Sequence, residues 1–222
     1  SLDVAATTAN GAPMKLVDRT EGDSRRMEME STNAGAVLRF LDIYKHMEGG
    51  TMKFALAGPP NGTMRGQIDA VNFTIVDEPK LASIVSSSPS GDQRSLNEAV
   101  RRDIDTKRVN FERGYALLEK GDGSLALERG VLRGPLIGTT FQGTVYDKDS
   151  NIDMTGTFMP AYGLNRIFGE LPLVGIILGN GRDRGLIGVT YRLHGKSSDP
   201  NLQINPLSII APGIFRQIFE FR

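Results

Sequence analysis

The sequence predicts a mainly β protein with α elements (α+β): a curved antiparallel sheet or groove, with helices covering part of it and closing its C-terminal end. Three observations lead there. Apolar side chains alternate with polar ones along most of the chain. They do so at Met52, Phe54 and Leu56, and again at Ile152, Met154 and Phe158, with Asp153, Thr155 and Thr157 between them. Between such runs lie joints that tolerate positive φ: Pro59-Pro60-Asn61-Gly62, Lys120-Gly121-Asp122-Gly123 and Gly179-Asn180-Gly181. Stretches that repeat at the helical period are few and short.

Strands are expected near residues 2–8, 12–18, 25–31, 51–57, 63–76, 107–119, 124–133, 138–147, 151–159, 185–195 and 201–205. The first begins at once, with Ser1-Leu2-Asp3-Val4, as expected of a piece cut from a longer chain. Asn33 can cap a helix on which Val37, Leu38, Leu41 and Tyr44 recur at three- and four-residue spacing, ending near Glu48-Gly49-Gly50. A weaker helical pattern runs from Glu78 to Ser87. Ser95-Leu96-Asn97-Glu98 has the form of a capping box ahead of a polar segment reaching Asp105. The Ser/Pro/Gly stretch 86–95 reads as a loop, so 86–106 is expected to be a flexible loop and helix insertion within a single domain, 1–222. A helix followed by strands occurs after Asn33 and loosely again after Pro79, a weak sign of an internal repeat.

The totals exclude several classes. Lys plus Arg and Asp plus Glu number 26 each, so no net field draws the chain to nucleic acid, and no nucleic-acid partner is expected. The absence of cysteine rules out disulfides and thiolate zinc sites, and fits cytosol and periplasm alike. No apolar run reaches the roughly 18 to 20 residues of a membrane-spanning helix, and the start shows no secretory leader.

A search for chemistry finds no catalytic group. His46, near a helix end, and His194, on the polar side of a strand, are too few for a histidine-rich metal site and read as structural or surface residues. No nucleophile elbow, phosphate loop, dinucleotide fingerprint or zinc-protease motif occurs. Asp147, Asp149, Asn151 and Asp153 alternate as calcium ligands do. However, Ile152 stands where the loop needs Gly and Phe158 where it needs a bidentate Glu, so a polar hairpin tip is the better reading. Asn61-Gly62-Thr63 and Asn72-Phe73-Thr74 match glycan acceptors, a pattern too short to carry weight. The chain reads as non-enzymatic, with no cofactor and no metal.

From Phe158 the texture changes. Leu164, Ile167, Phe168 and Leu171 form a helical stripe, Pro172 interrupts it, and Leu173 to Leu178 is apolar nearly all round before Gly179. After strands near 185–195 and 201–205, Ala211 to Phe221 reads as a last helix with Ile214, Phe215, Ile218 and Phe219 on one side. Several pieces recur here in a specific order. They are Met159-Pro160-Ala161-Tyr162 with Asn165, then Leu171-Pro172-Leu173-Val174-Gly175, then Gly188-Val189-Thr190-Tyr191 with Gly195. Asn205-Pro206-Leu207-Ser208 and Ala211-Pro212-Gly213 follow. In this combination the chain resembles the AsmA-like C-terminal region of bacterial envelope proteins, the AsmA/YhdP/TamB group. The likeness covers 158–222, the closing subregion, and extends upstream through the helix and strand order after Asn33.

The resemblance implies a periplasmic piece of a protein anchored in the inner membrane by a helix outside this sequence. It also implies a long apolar β-groove through which phospholipid acyl chains pass between membranes, supporting outer-membrane integrity. On that reading Met52, Phe54, Leu56, Ile152, Met154 and Phe158 line the groove, and Phe219 and Phe221 touch a membrane or a partner. Two alternatives stay open. The alternating face is also what any half-buried sheet shows, and burial at roughly 1.5 to 3 kcal/mol per large side chain is reason enough for the terminal stripe to pack as a plug. The chain would then be an interaction module, docking a longer envelope protein to an outer-membrane or periplasmic partner without binding lipid.

Overall fold

The computed structural model describes residues 2–8, 11–86, 105–160 and 186–210. Within them the alternating segments form β1 (Leu2–Thr7), β2 (Pro13–Glu21), β3 (Ser24–Ser31), β4 (Met47–Gly58), β5 (Met64–Val76), β6 (Arg108–Gly121), β7 (Ser124–Arg133), β8 (Ile137–Tyr146), β9 (Asn151–Pro160), β10 (Leu186–Lys196) and β11 (Asn201–Ile210). Two short helices interrupt them, α1 (Ala34–Phe40) before β4 and α2 (Pro79–Ser86) after β5. Each strand pairs antiparallel with the next in sequence, so all eleven lie in one open sheet with β1 and β11 at its edges. Pairing sequence neighbours reaches this arrangement with the least chain crossing.

All eleven expected strands are present, and the two helices fall where α1 and α2 were expected to begin. α1 is shorter than its periodicity suggests. Asn33 caps it, its side-chain oxygen accepting from the Ala36 N–H at 3.0 Å. It ends at Phe40, after which Asp42 takes φ +52°, and Met47 to Gly50, expected as a helix end, already belong to β4. Leu41 and Tyr44 kept the helical spacing without the helix, because Tyr44 reaches the core from the turn. β11 runs on to Ile210, five residues past the expected end. The helices expected at 164–178 and 211–221, and all but Asp105 of the one expected at 95–105, lie outside the described residues; Asp105 is not helical.

The core divides along the strands. At the end where α1 and α2 sit, Met47, Met52, Phe73, Ile75, Val109, Phe111, Ile137, Phe158 and Val189 pack with Ala34 and Val37 of α1 and Ile84 and Val85 of α2. Phe73 and Phe111 stack there with ring centroids 5.3 Å apart. Toward the tight turns, Leu56, Met64 and Leu118 form a second cluster with Met27, Phe54, Ile68, Leu125 and Leu127.

A change of phase separates the two clusters. On β5 burial follows even positions through Met64 and Ala70, then odd ones at Phe73 and Ile75. Between the pairs Gly49–Phe73 and Thr51–Val71, Gly50 (φ +79°) and Asn72 (φ +55°) both adopt left-handed backbone. A Cβ on Gly50 would stand 2.7 Å from that of Phe73, so glycine is required there both by conformation and by space.

Candidate functional site

Register gives the sheet two faces of opposite chemistry. On one, Met27, Leu56, Gly66, Leu118 and Leu127 stand in a cross-strand row, and Leu16, Met29, Phe54, Ile68 and Ala116 in the next. The same face continues through Met154, Leu193 and Leu202, and through Gly156, Tyr191 and Ile204. On the other face Lys15, Glu30, Lys53 and Asp69 alternate in sign across four strands, and Arg113 pairs with Asp69. Lys53 reaches Glu30 at 3.1 Å, Arg65 reaches Glu119 at 2.9 Å, and Arg192 reaches Asp153 at 2.7 Å. A shallow depression of about 600 Å³ lies on this charged face, with Lys15, Glu28, Glu30, Lys53 and Asp69 in its lining.

All six residues expected to line a groove fall on the apolar face, three on β4 and three on β9. The two sets are not brought to one point, since four strands lie between them. Met52, Leu56 and Phe158 are each 1 % exposed and Met154 is buried, whereas Phe54 and Ile152 are half-buried. Met52 and Phe158 belong to the cluster that the helices complete. Phe54 and Leu56 belong to the one in which, among the described residues, no helical residue takes part. Phe219 and Phe221 lie outside the described residues. The same rows contain Met27, Met29, Ile68 and Leu127, which the sequence reading did not name. Alternation at Met27-Glu28-Met29-Glu30 signals the first two.

Asp18 stands directly opposite Met27 and so projects from the apolar face, yet it is not left as a lone charge. Arg25 donates to it twice, Nε to Oδ1 at 3.0 Å and Nη2 to Oδ2 at 2.6 Å. These hydrogen bonds, helped by the guanidinium charge, hold the Asp18 carboxyl below the usual carboxylate range. The pair makes a polar rim to the face at β2 and β3.

The remaining polar candidates serve turns and strand ends. Asp147 Oδ1 accepts from the backbone N–H groups of Asn151 at 2.8 Å and Asp149 at 2.9 Å, and Oδ2 accepts from Asn151 Nδ2 at 3.1 Å. That carboxylate is engaged by its own hairpin tip, and these bonds lower its pKa. His46 Nδ1 lies 3.0 Å from the Val76 carbonyl oxygen, and His194 stands opposite Asp153 on the charged face. Among the described residues no three His, Cys, Asp or Glu side chains are placed to hold a metal ion, and no helix is long and apolar enough to cross a membrane.

Fold and faces together define a mainly β protein with one open antiparallel sheet, apolar on one side and laced with ion pairs on the other. Comparison with known families, with curated proteins and with solved structures found no match.

Proposed function

We propose that the apolar face handles lipid acyl chains, and that the chain is the C-terminal part of an AsmA-like periplasmic protein. It would contribute, without catalysis, to phospholipid transport between inner and outer membrane. The observation that carries this is burial with no covering layer among the described residues. Leu56, Met64 and Leu118 are 1 %, 4 % and 5 % exposed, yet among the described residues the hydrophobic side chains packed with them all come from the sheet itself. A sheet bent into a groove produces such burial, because side chains on its concave side converge. Phe54, Ile68 and Leu127, half-buried beside them, are the surface left for an acyl chain, which needs an apolar trough and no reactive group. The ion-paired face would look to water. The same reading keeps helices at the closing end of the groove, Phe219 and Phe221 as contacts to a membrane or partner, and anchoring in the inner membrane by the longer protein.

Native mass spectrometry with lipid extraction tests it. Phospholipid is expected with the wild-type chain and with Gln67→Asp on the charged face, and is expected to be lost from Phe54→Asp with its circular dichroism unchanged. A lipid-free wild type, or lipid retained by Phe54→Asp, refutes the reading.

One observation favours the alternative of a docking module for an outer-membrane or periplasmic protein. At the end of α1 and in the turn that follows, Phe40, Leu41 and Ile43 are 78 %, 46 % and 62 % exposed, an apolar tip of the kind that protein contacts cover. Saturable binding of such a partner that survives Phe54→Asp and fails in Phe40→Asp would decide for it.

A further inference from the structure

The two edges of the sheet differ in their protection. β11 contains Pro206, which has no N–H to offer an incoming strand. β1 contains no proline, lysine or arginine, and its pairing with β2 runs without irregularity from Leu2–Asp18 to Thr7–Pro13. Among the described residues nothing pairs with its other side, and an edge of this kind templates a further strand. We propose that β1 pairs antiparallel with β1 of a second copy of the chain, about a two-fold axis at Val4.

Side-chain chemistry selects both the register and the partner. Directly opposite residues share a face, so apolar meets apolar only if like-numbered parities pair. With Val4 opposite Val4 of the second copy, Leu2, 51 % exposed, lies opposite Ala6 and gains an apolar neighbour. Asp3 then lies opposite Ala5, whose small side chain stands next to Lys15 of its own sheet. Each carboxylate is thereby brought toward a lysine of the other copy. Shifting the axis to Asp3 would oppose two like charges, and shifting it to Ala5 would leave Leu2 facing Thr8, beyond the strand. The edge is thus complementary to itself, as a two-fold interface requires. The two apolar faces would become one continuous surface. The inference stands apart from lipid binding, and its test does not involve lipid.

Sedimentation of the 222-residue chain is expected to show a concentration-dependent dimer. Because the chain has no cysteine, single-cysteine variants report unambiguously. Val4→Cys is expected to give a covalent dimer on mild oxidation, and Gln203→Cys, on β11, to give none. Val4→Lys places two ammonium groups on the axis and is expected to abolish the dimer. A wild-type chain that stays monomeric overturns the proposal whatever the variants do. So does a dimer that cross-links through Gln203→Cys instead, or one that Val4→Lys leaves intact.

Discussion

Glycine inside these strands is placed by what stands across from it. Gly66 pairs with Leu56, and a methyl group on it would run into the Ala55 carbonyl. Gly130 lies under the ring of Phe141, and Gly156 under that of Tyr191. The ring covers backbone that glycine leaves bare. Gly66→Ala should therefore lower stability by roughly 1–3 kcal/mol through overpacking, read as a shifted urea midpoint at unchanged slope. Two half-buried tyrosines give a second prediction. Tyr191 OH bonds with Thr139 Oγ1 at 3.1 Å, and Tyr44 OH donates to Glu78 Oε2 at 2.9 Å. Burial raises both pKa values, and for Tyr44 the Glu78 carboxylate raises it further. The folded state then keeps protons that the unfolded state gives up above about pH 10, so stability is whole below that pH and declines as pH rises past it. In an alkaline series Tyr44→Phe and Tyr191→Phe should each lose less stability above about pH 10 than the wild type does; equal slopes would contradict the assignment.

At the scale of elements, the row Lys15, Glu30, Lys53, Asp69 ties register to charge. A one-residue slip would bring the apolar set to this side, so the ladder and the apolar face specify the same pairing. Lys53→Glu puts a carboxylate between two others and should cost about 1 kcal/mol. Exchanging the pair, Glu30→Lys with Lys53→Glu, should not restore stability, since it opposes lysines at 15 and 30 and acids at 53 and 69. Full recovery in thermal melts would show that the row does not act as a row. The alternation that announces these strands was legible residue by residue, as were the turns at Gly62 and Gly123. The early end of α1 and the phase change at Gly50 and Asn72 were not. Each is a backbone choice of one residue, made where packing of Phe73, Tyr44 and Met47 outweighs local pattern.

On the scale of the whole molecule the open sheet has a graded stability. β5 lies between β4 and β6, and all three contribute to both buried clusters, whereas among the described residues β1 and β11 pair on one side only. Hydrogen exchange of the monomeric chain should be slowest in β4 to β6 and fastest in β1 and β11; strong protection of β1 at concentrations where the chain is monomeric would rule this out. Of the candidate site, the sequence named the strands and the face, because alternation with period two is a local property that any reader of one strand can see. It could not say which of Met52, Phe54 and Leu56 stays partly accessible, since that depends on residues brought in by neighbouring strands and by α1. The sequence by itself determined eleven strands, their turns and the polarity of each face. Only the tertiary structure decided that the strands pair in sequence order into one open sheet, that its core splits into a part α1 and α2 complete and a part to which neither contributes, and that Phe54 lies in the second. Those outcomes rest on contacts between distant segments, whose energies no single stretch of sequence contains.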